Sequence, residues 1–148
     1  MMNAAFLTWS FLHVLTKDRL EAMLGVYGDL ETALTRMGPE LLQALGCRPD
    51  TVEKTLVRLE EFDANRYATE LARRGIQIVD MFDPLYPSRL LEIGDPPVFL
   101  SYKGDLSILS QPTIGLVGTR AMTNYGKRVT EFFTPAFVQA CMVTVSGL

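Results

Sequence analysis

The sequence has little of what catalytic and metal sites are usually built from. It contains a single histidine, His13, and two cysteines, Cys47 and Cys141, which lie far apart without metal-type spacing. A histidine among apolar residues favours a core or interface role, and two distant cysteines favour reduced thiols in a cytoplasmic protein. The sequence also lacks a carboxylate pair and a nucleophile elbow. We therefore expect no catalytic residues, no bound metal and no cofactor.

Long apolar runs and a strong net charge are absent as well. No run approaches the roughly 20 residues that a membrane-spanning helix needs, and no basic region precedes the first apolar residues as in a secretory signal. The 148 residues carry a formal net charge of −3, which does not indicate a general affinity for nucleic acid. Within 106–148, however, Arg120, Lys127 and Arg128 are opposed by Glu131 alone. The sequence therefore predicts a local positive patch.

Helix-ending and helix-starting residues punctuate the first half of the chain. The apolar stretch 3–15 predicts a buried helix, and Asp50 begins a capping-box pattern that predicts the start of a longer one. The other residues that favour the start or end of a helix are Gly28, Gly38, Pro39, Gly46 and Gly75. We expect five or six short helices, forming a small helical domain over residues 1–75.

The pattern changes to β-type from residue 76. Segments 76–79 and 98–102 predict strands, and the Asp-Pro, Tyr-Pro and Asp-Pro-Pro steps between them favour a rigid connector over a recognition surface. Strand 113–117, helix 124–140 and strand 142–145 then form a βαβ unit, whose two strands should be parallel. The fold class is therefore α/β, with a second domain over residues 76–148.

The junction between strand 113–117 and the next helix has the composition of a phosphate-binding loop. Gly118 lets a ligand approach the backbone, Thr119 and Thr123 offer hydroxyls, and Arg120 offers a planar fork for phosphate oxygens. Tyr125 can stack on a base or place its hydroxyl on a phosphate, and Lys127 adds positive charge near the helix N-terminus. Ser146 and Gly147 repeat this logic at the next strand end. The alternative is a loop that only caps its helix, with a solvated Arg120.

Several motifs in this order resemble the DNA-processing protein A family (DprA, also called Smf). They are Asp83-Pro84-x-Tyr86-Pro87, Asp95-Pro96-Pro97, Lys103-Gly104-Asp105, Val117-Gly118-Thr119-Arg120-x-x-Thr123-x-Tyr125-Gly126 and Val145-Ser146-Gly147-Leu148. The resemblance covers residues 76–148 well. It implies a sterile-alpha-motif-like (SAM-like) helical domain over residues 1–75, and then the first part of an extended Rossmann-like parallel sheet.

The resemblance also implies a function without catalysis. Members of this family bind single-stranded DNA independently of sequence in natural transformation, protect it, load the RecA recombinase and form homodimers. The resemblance implies that Arg120 above all binds phosphate, together with Gly118, Thr119 and Thr123. Ser146 and Gly147 match the start of a second phosphate-facing loop. The alternative is a nucleotide-processing enzyme of the phosphoribohydrolase type, which needs a catalytic arginine and a glutamate near a glycine-rich phosphate loop. Cys141 stands where the family usually has glycine.

The family continues beyond the motif at which this chain ends, so we expect the chain to be part of a longer product. A βαβ unit with few neighbouring strands leaves sheet edges and apolar helix faces uncovered. As an isolated species, the chain should therefore self-associate. Light scattering at increasing concentration checks this, and a sharp monomer with cooperative unfolding would contradict it.

Overall fold

The computed structural model describes residues 3–147 and has a mixed α/β fold. Over this range it contains seven α-helices, four strands and two short 3-10 helices. The chain forms two compact units, one ending at Gly104 and the other starting at Asp105, which are described separately below. These units are defined by packing. The boundary between residues 75 and 76, which rests on the change from helix to strand, stays a prediction.

Six short helices make up most of the first unit, as the punctuation predicts. They are α1 (Ala4–Leu12), α2 (Lys17–Tyr27), α3 (Leu30–Thr35), α4 (Pro39–Ala44), α5 (Pro49–Glu60) and α6 (Ala64–Arg74). Side-chain oxygens of Asn3, Thr16, Asp29 and Asp63 accept backbone N–H groups at the starts of α1, α2, α3 and α6. The helical character of this region is therefore confirmed.

Two local predictions in this region are wrong. Helix α5 begins at Pro49 rather than after Asp50, and its N-cap Arg48 makes no side-chain capping bond. Proline already has the backbone angle of a first helical residue, so it outweighs the capping-box pattern. Helix α1 ends at Leu12, because His13 takes a left-handed conformation with φ of 55°. His13 is also exposed, so it does not lie in the core, and the interface role stays a prediction.

The core of the first unit is built around α1. Trp9 is fully buried, and its indole N–H donates to the carbonyl oxygen of Leu30 at 2.9 Å, which joins α1 to the start of α3. The Arg58 guanidinium of α5 donates to the carbonyls of Phe11 and Leu12 and lies 4.6 Å from the centre of the Phe11 ring. The last carbonyls of α1 are thereby satisfied by a cation.

An antiparallel pair of strands belongs to the same unit. Strand β1 (Gln77–Asp80) pairs with β2 (Phe99–Tyr102), with Gln77 opposite Tyr102 and Asp80 opposite Phe99. Ile78 of β1 joins a buried cluster with Leu7 of α1 and Leu71 of α6. This shared cluster explains why the two strands pack with the helices.

The connector between β1 and β2 is held by one buried side chain. Tyr86 is buried, and its hydroxyl donates to the carbonyl oxygen of Pro97 at 2.7 Å. A short 3-10 helix, Ser88–Glu92, lies between the two proline-rich stretches that this bond joins. Burial also raises the pKa of Tyr86, which keeps the phenol protonated as a donor. The bond supports the predicted rigid connector.

The second unit contains the predicted βαβ arrangement. Strand β3 (Thr113–Leu116) is followed by α7 (Asn124–Gln139) and β4 (Val143–Ser146), and the two strands are parallel. The parallel pairing is confirmed, while β3 ends one residue earlier than expected and β4 lies one residue later. In this register Leu116 lies opposite Ser146. The carboxyl ends of both strands therefore lie side by side.

The second unit buries very little of its apolar surface. Among its described residues only Leu106 is buried, and α7 contributes none. Large exposed apolar side chains include Val117, Met122, Phe132, Phe133, Val138 and Val145. Two strands and one helix are too few to enclose a core, so this unit gains little stability from its own packing.

Cys141 offers a test of backbone strain between α7 and β4. Its φ is 52°, the left-handed region in which a Cβ atom is crowded. We expect Cys141→Gly to raise the free energy of unfolding by about 0.5–1 kcal/mol, because glycine removes that crowding. Urea denaturation followed by circular dichroism measures the change. Cys141→Ala keeps the Cβ atom and serves as the control, and an equal gain from both variants would contradict the strain.

Candidate nucleic-acid interface

The loop between β3 and α7 is folded by two threonine hydroxyl oxygens. Thr119 Oγ1 accepts the backbone N–H of Ala121 at 3.2 Å, and Thr123 Oγ1 accepts the N–H of Gly126 at 3.2 Å. Thr123 is the N-cap of α7. Both hydroxyl oxygens therefore stabilise the loop itself, whereas the sequence predicts only that these hydroxyls contact a ligand. Each keeps its hydrogen, which a hydroxyl can donate outward.

The backbone at Gly118 is open to close approach. A Cβ atom built at this position would meet no atom within 4 Å. The whole segment from Val117 to Tyr125 is exposed, including Arg120. A ligand can therefore reach the main chain at Gly118, just after the end of β3.

Side chains at the start of α7 add an aromatic ring and positive charge. Tyr125 is 77% exposed. Lys127 is also exposed, and its Nζ lies 3.8 Å from Oε1 of Glu131. An exposed ion pair of this kind is weak, so it only partly offsets the charge that Lys127 contributes. Arg128, next in the chain, is exposed as well.

The N-terminus of α7 differs from those of most helices in the first unit. The first turns of α2, α3, α4 and α5 each contain an acidic residue, which complements the positive end of the helix dipole. The first turn of α7, all of it described, contains none. The positive end of this 16-residue helix is therefore not complemented by a carboxylate of its own first turn.

The second predicted strand end lies beside the first. Ser146 closes β4 opposite Leu116 of β3, and its hydroxyl donates to the carbonyl oxygen of Gly147 at 3.3 Å. The pairing thus brings Ser146 and Gly147 to the same sheet edge as the β3–α7 loop. The binding role of all eight predicted residues stays a prediction.

Two other features, a metal-binding cluster and a membrane-spanning helix, are absent from the part of the chain that the structure describes. Residues 3–147 contain no group of three or more His, Cys, Asp or Glu side chains placed to hold a metal ion. Over the same range, no helix is both long enough and apolar enough to cross a membrane.

Comparison with known proteins identifies this α/β chain further. The family described as DNA recombination-mediator protein A matches residues 68–148, and the chain belongs to that family. The resemblance derived from the motifs is therefore confirmed. The match includes β1 to β4 and every predicted site residue.

The names of similar curated proteins are consistent with this family. "DNA processing protein DprA" of Bacillus subtilis (strain 168) is 42% identical over 76 residues, which are 51% of this chain and 26% of the relative. "Protein Smf" of Synechocystis sp. is 29% identical over 150 residues, covering 99% of this chain and 38% of the relative. "DNA processing protein DprA" of Streptococcus pneumoniae is 40% identical over 68 residues, which are 46% of this chain and 24% of the relative. The chain thus spans well under half the length of these relatives.

The capping role of Thr123 can be tested by substitution. We expect Thr123→Ala to lower the stability of the second unit by about 1 kcal/mol, because the Gly126 N–H loses its acceptor. Thr123→Ser keeps the hydroxyl and should stay within a few tenths of a kcal/mol of the parent. Denaturation followed by helical circular dichroism measures both, and equal losses would contradict the cap.

Proposed function

We propose that this chain contributes to DNA processing and recombination by binding single-stranded DNA, independently of sequence, through its phosphates. The observation that carries this proposal is the β3–α7 junction, an exposed loop carrying Arg120 beside a helix N-terminus whose first turn has no carboxylate. Amide groups and a dipole at such a terminus favour an anion. Membership of a DNA recombination-mediator family supports DNA as the source of that anion.

The proposed roles follow from the chemistry of each side chain in the loop. The Arg120 guanidinium donates in pairs to phosphate oxygens, and Gly118 admits the phosphate to the backbone. The hydroxyls of Thr119 and Thr123 donate their remaining hydrogens while their oxygens hold the loop. These groups contact only the sugar–phosphate backbone of the DNA, so their binding does not depend on base sequence.

Residues beside the loop extend the proposed site. Tyr125 offers its ring to an unstacked base, and Lys127 contributes positive charge. Ser146 and Gly147 provide a second phosphate contact at the neighbouring strand end. Parallel pairing supports this arrangement, because it sets Ser146 opposite the last residue of β3.

We infer that residues 1–75 form a SAM-like domain and residues 76–148 the first part of an extended Rossmann-like sheet. Six short helices and a parallel βαβ unit support this division. We infer further that single-strand binding serves natural transformation without catalysis, with a RecA-type recombinase and a second copy of the protein as partners.

Substitution of Arg120 tests the proposed contact. We expect Arg120→Ala to weaken binding to oligo(dT) and to mixed-sequence oligonucleotides by a similar factor of about tenfold, since one charge-assisted phosphate contact is lost. The slope of log affinity against log salt should fall by about 0.7. Fluorescence anisotropy over a salt series measures both quantities.

Arg36→Ala is the matched control, because it removes another exposed arginine, the C-cap residue of α3 in the first unit. It should leave affinity and salt slope unchanged. Equal binding by Arg120→Ala and the parent chain would refute the contact. Release of base from a nucleoside monophosphate would instead favour a phosphoribohydrolase.

A further inference from the structure

A small apolar groove lies in the first unit, whereas all of the predicted DNA-binding residues belong to the second. It is lined by the α2–α3 turn and by the ends of β1 and β2, and it encloses about 270 Å³. Its apolar walls include Leu24, Leu30 and Phe99, and Phe82, which is 66% exposed, stands on one side. We call this feature the α2–β2 groove.

Two aspartates add negative charge to the α2–β2 groove. Asp29 and Asp80 both line it, and none of its described lining residues is a lysine or arginine. Hydrogen bonds from the backbone and hydroxyl of Thr32 hold the Asp29 carboxylate and lower its pKa, so this group is ionised at neutral pH. Residues 1–104 have 15 Asp and Glu against 11 Lys and Arg, so this part of the chain carries a net negative formal charge.

Hydrogen bonds hold the walls of the groove in place. The indole of Trp9 donates to the Leu30 carbonyl at 2.9 Å beneath the α3 side. On the strand side, the N–H of Met81 donates to the Val98 carbonyl at 3.0 Å, and the N–H of Phe82 donates to Oδ1 of Asp80 at 2.8 Å. A preformed groove loses little conformational entropy when a partner binds.

Size and charge together select one class of occupant. The cavity is smaller than the usual 300–1,000 Å³ of small-molecule sites, so it fits an anchoring side chain rather than a whole cofactor. Its carboxylates repel nucleic acid and acidic peptides and attract a neighbouring cation. We propose that the α2–β2 groove docks a protein segment in which an apolar anchor residue is flanked by lysine or arginine. This interaction is separate from the proposed DNA binding.

A synthetic peptide tests the proposal with the intact chain. The probe is a dodecapeptide with a central phenylalanine flanked by leucine and arginine, and its control replaces every arginine with glutamate. In amide NMR spectra, we expect the basic peptide to shift the resonances of Leu24, Leu30 and Phe99 and the acidic peptide to leave them unchanged. Absence of these shifts at about 1 mM peptide, the weak limit of specific binding, overturns the proposal.

Charge-removing variants test the two aspartates without disturbing the fold. Asp29→Asn keeps the N-cap and Asp80→Asn keeps an oxygen acceptor, because asparagine presents a carbonyl oxygen in both places. The double variant should bind the basic peptide about tenfold more weakly, since each exposed charge pair contributes a few-fold.

The control Asp50→Asn/Glu53→Gln removes two exposed charges from α5 and should bind as the parent does. Phe82→Ala, which removes an exposed side chain from the groove, should also weaken binding. Equal affinities of the Asp29/Asp80 double variant and the α5 control would overturn the proposal.

Discussion

Parallel pairing of β3 with β4 is the constraint on which the candidate DNA site depends. It sets Leu116 opposite Ser146, so the loop after each strand leaves the sheet at the same edge. Helix α7 must then start at that edge, because the chain has to return along the sheet before β4 begins. The position of the Arg120 loop beside a helix N-terminus is a consequence of this topology.

The two units differ in how their structure is stabilised. In the first, Trp9, Leu12 and Leu42 are almost completely buried, and Arg58 satisfies the carbonyls at the end of α1. In the second, Leu106 is the one described side chain that is buried. The candidate phosphate-binding loop therefore belongs to the unit with the smaller core. Hydrogen bonds to Thr119 and Thr123 stabilise the conformation of this loop.

Predictions from the sequence succeeded where a short segment determines its own structure. Glycine and proline marked the helices of the first unit, and the strand–helix–strand pattern was enough to predict parallel pairing. They failed where two local signals competed, as at α5, where Pro49 outweighed the capping pattern at Asp50. The apolar neighbours of His13 favoured a core or interface role, and the core alternative is wrong because the left-handed residue that ends α1 is exposed.

The amino-acid sequence by itself determined the family, the order of helices and strands, and the residues of the candidate phosphate-binding loop, because the motifs and the residues that start and end helices are local signals. Only the tertiary structure decided that β1 and β2 pack with the helices through Ile78, that Tyr86 reaches Pro97, and that Asp29 and Asp80 share one groove. Leu7 and Ile78 are 71 positions apart, Asp29 and Asp80 are 51 apart, and Tyr86 and Pro97 are 11 apart. Such contacts depend on how whole elements pack.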